Sequence, residues 1–289
     1  MTLQQFLLDP LNYVFMQRAL LAAIIIGTVS GVVGVYVVTR GMAFLGDALA
    51  HSVLPGVAVS FLAGGSGQML LLGGLGAAVL SALVIGFLTR GGRLTEDTAI
   101  GIVFSGTLAL GIGLISKAQN YARDLTHILI GNILAVSADD LALIALAAVI
   151  IIVTIILLYK QFLVISFDPT LAQTLRLPGE LLRIVLLILL AVTIVIGVQV
   201  VGVALVAAML VTPAATARFF TSRLHRMMLL AAAIGAGSAV VGIYIAWHSS
   251  IAPSATIVLT MTTLFLLAFI FAPGKGYLWS LLGRSATTA

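Results

Sequence analysis

Two residues stand out chemically from their apolar surroundings. Asp47 and His51 sit in residues 40–62, Arg-Gly-Met-Ala-Phe-Leu-Gly-Asp-Ala-Leu-Ala-His-Ser-Val-Leu-Pro-Gly-Val-Ala-Val-Ser-Phe-Leu, a stretch otherwise suited to a membrane interior. On a helix, a separation of four residues puts both side chains on one face, about 6 Å apart along the axis. The other acids, Asp9, Glu96, Asp97, Asp124, Asp139, Asp140, Asp168 and Glu180, fall in loops or at the ends of apolar segments. An ionisable group inside a bilayer is costly and marks a functional site whose partner must be named. Here the partner lies one turn away.

Three chemistries fit this pair. It can be a hydrogen bond that packs two helices, a proton relay, or a transition-metal site. A carboxylate oxygen and an imidazole nitrogen suit divalent manganese, iron or zinc, and the lack of sulfur donors argues against copper(I). One chain supplies only these two donors. A two-fold dimer would bring two Asp and two His across its axis.

The elements that must position the pair are membrane spans. The chain has 289 residues, 62% hydrophobic and 8% charged, against about 25% charged for a soluble domain. This is the composition of an all-α polytopic membrane protein, read as a single transmembrane domain over 1–289. The absence of cysteine excludes disulfides, thiolate metal sites and a cysteine nucleophile. Met1 to Tyr13 reads as an amphipathic start and not a signal peptide. Apolar segments fall near 14–39, 42–63, 68–89, 97–116, 139–159, 182–198, 199–217, 226–247 and 254–273. Each can cross about 30 Å of hydrocarbon or nearly so. The pair at 182–217 reads alternatively as one broken helix, which would leave eight. With nine crossings and the N-terminus outside, the C-terminus lies inside. Only Arg18, Lys117 and Arg123 then fall outside, and every other Lys and Arg falls inside. The net charge of +5 follows from this bias and implies no nucleic-acid partner.

Two loops exceed what a connector needs. Residues 117–137 lie outside and are amphipathic, as expected of a short helix at the interface; they carry Asp124 and His127, which suit a solvated pair or a docking contact. Residues 160–181 lie inside. There Ser166 or Asp168 suits an N-cap, Pro169 the first helical position and Pro178 a stop. The expectation is a two-turn helix over about 166–178, with Leu171 and Leu175 among its apolar residues. Glu96 and Asp97 open an inner helix, where acids favour the dipole. Pro213 is expected to kink or end its segment. Gly27 and Gly31 form a small-xxx-small face that lets helices approach. His225 reads as a loop residue. His248 follows Trp247, an interfacial anchor, with ion entrance a remote role. No phosphate loop, His-Glu-x-x-His or Gly-x-Ser-x-Gly is present, so neither ATP hydrolysis nor hydrolase chemistry is suggested.

Several stretches resemble one family. Gly46-Asp47-Ala48-Leu49-Ala50-His51-Ser52-Val53-Leu54-Pro55-Gly56 is similar to the signature of the permease subunits of bacterial manganese/zinc/iron ABC importers. Glu96-Asp97-Thr98-Ala99-Ile100-Gly101, Gly131-Asn132-Ile133-Leu134-Ala135-Val136-Ser137, Val201-Gly202-Val203-Ala204-Leu205-Val206 and Pro213-Ala214-Ala215-Thr216-Ala217 follow in family order. The resemblance implies a type II ABC importer fold in the bacterial cytoplasmic membrane. It implies a homodimer, a cytoplasmic ABC ATPase dimer, and an extracytoplasmic metal-binding protein that delivers Mn2+, Zn2+ or Fe2+. Asp47 and His51 match the metal-coordinating gate, and Asp168, Pro169, Leu171, Leu175 and Pro178 fall where the family places its ATPase-coupling helix. No permanently bound cofactor and no catalysis in this chain are expected. Two rivals remain. A proton-coupled secondary transporter would use the pair as a relay and often shows inverted repeats. A membrane-embedded enzyme would need a third catalytic group at membrane depth.

Overall fold

The computed structural model describes residues 9–65, 67–116, 131, 133–167, 169–273 and 276–278. Among them, nine helices are long and apolar enough to cross a membrane. In chain order these are α1 (Val14–Thr39), α2 (Leu45–Leu62), α3 (Gln68–Leu88), α4 (Glu96–Ile115) and α5 (Ala138–Leu157). The shorter α6 (Tyr159–Phe167) and α7 (Pro169–Thr174) follow, then α8 (Gly179–Val201), α9 (Val203–Phe220), α10 (Leu224–Ser249) and α11 (Pro253–Phe271).

Local chemistry sets the breaks. Gly41, at φ +74°, closes α1. The Met42 amide reaches back to the Val37 carbonyl at 2.9 Å and the Gly41 amide to Val38 at 3.4 Å, the paired bonds of a Schellman motif. Thr95 caps α4, accepting from the Thr98 amide. Ser137 and Asp140 form a reciprocal capping box on α5. Gly202, at φ +84°, separates α8 from α9, so the 182–217 region holds two helices and their break falls at Gly202. α9 runs through Pro213 to Phe220 instead of ending there; membrane helices tolerate an internal proline where neighbours satisfy the freed backbone.

α1, α2, α8 and α9 are the most buried helices, while α4, α5 and α11 present most of their surface outward. α3 and α4 flank α2, α5 lies on α1 and α8, and α10 and α11 close the far side against α1 and α9. The tightest joints are glycine joints. A Cβ on Gly27 would stand 2.8 Å from the Gly235 carbonyl oxygen, and one on Gly31 would stand 2.6 Å from that of Ala231. The small-xxx-small face thus seats α1 on α10. Gly56 does the same for α2 against α3, where a Cβ would meet the Gly73 carbonyl oxygen at 2.0 Å. At one end of the bundle Tyr13, Phe15 and Trp247 form a cluster with centroids 5.3–6.2 Å apart, as interfacial aromatics do.

Gly34 gives the sharpest packing test. A Cβ there would lie 1.8 Å from the Leu210 carbonyl oxygen, and that contact is backbone, which no rotamer change relieves. Gly34→Ala is expected to cost more than the ~1–3 kcal/mol of ordinary overpacking. Thermal unfolding in detergent checks this; a melting temperature equal to wild type would contradict the α1–α9 contact.

Candidate metal site and coupling segment

α2 brings Asp47 and His51 together as the i, i+4 spacing requires. Asp47 lies in the first turn, nearer the helix end than the apolar run suggests, where the dipole favours a carboxylate. Its Oδ1 is 3.7 Å from His51 Nε2. That is longer than a hydrogen bond, so the pair is adjacent without being joined. An ion at a usual bond length of about 2.1 Å from both atoms would subtend roughly 120°. The Asp47 side chain is 41% exposed and the His51 side chain 23%, so the pair opens outward from the chain and is not enclosed by it. His51 Nδ1 is buried without a hydrogen-bond partner. Phe104 of α4 holds the ring edge-on, at 5.6 Å and 72°, and itself stands against Phe44 at 5.4 Å and 74°. Among the described residues no group of three or more His, Cys, Asp or Glu could hold a metal.

The second half of the same motif serves packing. Pro55 and Leu54 meet Gly111 of α4, and Gly56 meets α3.

The coupling segment differs from its sequence reading. The expected helix over about 166–178 is divided. Ser166 belongs to α6, and α7 covers only Pro169–Thr174. Asp168 lies outside the described residues. Pro169 heads α7, and Leu171 and Leu175 are exposed. Ala172 is buried, which turns its side of α7 toward the body. The helix ends by a Schellman motif and not by proline. The Leu177 amide donates to the Ala172 carbonyl at 3.0 Å and the Arg176 amide to Gln173 at 3.0 Å. Arg176 takes the left-handed position, φ +52°, normally given to glycine. Pro178 instead caps the start of α8. Asp124 and His127 also lie outside the described residues, which show only a single helical turn, Ile133–Ala135, before α5.

The sequence reading missed a charge cluster at the basic end. Glu96 Oε1 is 2.9 Å from an Arg183 nitrogen and 3.4 Å from an Arg40 nitrogen. Arg183 also donates to the Thr89 hydroxyl, which in turn donates to the Ile85 carbonyl. All three charged side chains are largely buried. Burial pulls the Arg40 guanidinium down from its ordinary value; Glu96 opposes this and Arg183 adds to it. Arginine stays charged in proteins regardless. The missed signal was Arg183. It lies one turn inside α8, which starts at Gly179 and not near 182, and an ionisable residue within a span demands a partner.

With this geometry in hand, comparison with known proteins is direct. The chain matches the ABC 3 transport family over residues 12–272. It is 44% identical over 275 residues to the manganese transport system membrane protein MntC of Listeria monocytogenes, spanning 95% of this chain and 97% of that protein. It is 39% identical over 266 residues to a Haemophilus influenzae protein described as "Probable iron transport system membrane protein", spanning 92% and 97%. Among solved structures, PsaBC from Streptococcus pneumoniae, in complex with Fab, superposes with a TM-score of 0.83 at 39% identity, covering 96% of this chain and 99% of that one.

Fold and relatives together define a permease subunit of an ABC transporter, a multi-pass protein of the inner membrane whose ATP hydrolysis lies in a separate partner. The chain belongs to the ABC 3 transport family.

Proposed function

We propose that this permease imports a divalent transition metal, manganese foremost. It would receive the ion from an extracytoplasmic binding protein and release it to the cytoplasm when a bound ABC ATPase dimer turns over. The observation that carries this reading is the Asp47–His51 pair, 3.7 Å apart and open to the outside of the chain. Two donors are too few for a tetrahedral or octahedral ion. A second copy facing the first across a two-fold axis completes four, with oxygen and nitrogen only, and among the described residues no third His, Cys, Asp or Glu joins the pair. The exposed α2 face then becomes the wall of the path between copies. The relatives support the metal class: MntC, the more similar of the two named above, is named for manganese, and the other for iron. The N-terminus is assigned outside and the C-terminus inside, because Arg40, Arg90, Arg93, Arg183, Arg218 and Arg223 then share the cytoplasmic end. α7 and the Leu175 turn, on that same end, are assigned to the ATPase.

The test is radioactive Mn2+ uptake into proteoliposomes holding permease, ATPase and binding protein. Uptake should require ATP and should be competed by unlabelled Mn2+ more strongly than by Zn2+ or Fe2+. Metal ligands bind in their deprotonated forms, so lowering pH should reduce equilibrium occupancy. Uptake driven by a proton gradient without ATP would overturn the proposal. So would occupancy that rises in acid.

A further inference from the structure

The Glu96 cluster joins the two regions that a transport cycle must connect. Glu96 opens α4, Arg40 follows the last residue of α1, Thr89 follows α3, and Arg183 lies one turn into α8. The Glu96 carboxylate therefore gathers the C-terminal end of α1 and the N-terminal ends of α4 and α8, and Arg183 adds the C-terminal end of α3 through Thr89. Two of the connections have direction. α8 begins immediately after the α7 turn, with Pro178 as its cap. α4 carries Phe104 about 12 Å along its axis from Glu96, and the Phe104 ring leans on both His51 and Phe44. Arg40 stands at the Gly41 turn that leads into α2.

Two cations share one carboxylate oxygen here, so either can hold it when the other moves away. In this structure Glu96 is close to Arg183, at 2.9 Å, and looser to Arg40, at 3.4 Å. A shift of α8 lengthens the first contact and leaves the carboxylate to Arg40. Arg183 Nε is buried without a hydrogen-bond partner, so the guanidinium is not fully satisfied in its present position. Coupling between distant sites needs such a two-state element, which both ends can bias.

We propose that Glu96, clasped by Arg183 and Arg40, is a positioning residue for transport that passes displacement of the α7–α8 junction to α4 and thus to the imidazole of His51. This rests on the importer reading given above. Glu96 touches no ion; it links movement of α8 to α4 during the cycle and leaves the resting site as it is.

The test uses the full importer with Glu96→Gln, which keeps size and removes charge, and independently Arg183→Gln. Equilibrium Mn2+ binding and ATPase co-purification should stay near wild type in both variants. Uptake should fall by about tenfold, within the usual range for coupling between sites, while ATP hydrolysis continues. Glu96→Asp, which restores the charge, should recover part of the uptake. Wild-type uptake in both Gln variants overturns the linkage. Parallel loss of metal binding and uptake overturns it too, because Glu96 would then only hold the fold. If the wild-type importer takes up none of the three metals, the functional reading itself fails. That outcome is distinct from a Glu96 variant behaving like wild type.

Discussion

Asp47→Asn and His51→Ala are each expected to abolish metal uptake and to leave a permease that still assembles with its ATPase. Asparagine keeps the shape of aspartate but offers a neutral amide oxygen where the ion would meet a full negative charge. Alanine at position 51 removes the nitrogen donor altogether. Losing an outer-shell partner already costs about 10–100-fold in metal affinity, so losing a direct ligand should cost at least about a hundredfold. The fold should tolerate both changes. Asp47 is partly exposed, and among the described residues no bond joins it to another helix. His51 gives up one edge-on ring contact with Phe104, worth about 0.5–1.5 kcal/mol. Radioactive Mn2+ uptake in cells, with equilibrium binding and size-exclusion chromatography on the purified variants, reads the three effects separately. Wild-type uptake in either variant removes the pair from the ion path.

Leu171→Asp together with Leu175→Asp is expected to detach the ATPase and stop uptake, with metal binding to the permease unchanged. A helix as short as α7 is marginal alone in water. It is held on one side by its packing on α6 and α8, with Ala172 turned into that contact. Leu171 and Leu175 stand one turn apart and are exposed. Apolar anchors at this spacing suit a helix docked in a groove. A carboxylate pressed into such a groove without a partner costs several kcal/mol, enough to undo most complexes. Co-purification of the ATPase is the direct measurement. Retained association and full uptake would move the docking role to another loop, with the turn beginning at Arg90 next.

The spans were legible because apolar length is nearly the whole signal in a lipid environment. Their ends were less so. Residues 42–44 are apolar and join the run before Leu45, yet they form the turn set by Gly41; hydropathy does not see a left-handed glycine. The same blindness hid the end of α7. Arg176 occupies a position that sequence statistics assign to glycine, so the visible proline two residues later was read as the stop. The metal pair was legible because i and i+4 face together on any helix. Its outward exposure was not legible, because it depends on which α2 face α3, α4, α8 and α9 leave uncovered. The Glu96 cluster required tertiary structure outright: Arg40, Glu96 and Arg183 are far apart in sequence, and only helix packing makes them neighbours.

The glycine seam between α1 and α10 limits how this protein can move. Gly27 sits where even a single added carbon would press on the Gly235 carbonyl. Its neighbours in sequence, Ile26 and Thr28, both carry that carbon. Turning α1 about its own long axis by one residue would bring one of them into the seam, and the second contact, Gly31 on Ala231, blocks the turn again one level away. The two helices are keyed together like a shaft in a slot, free to tilt as one piece and unable to spin separately. On the importer reading given above, alternating exposure of the ion path is expected to rock this pair as a block, with the give located outside the α1–α10 seam.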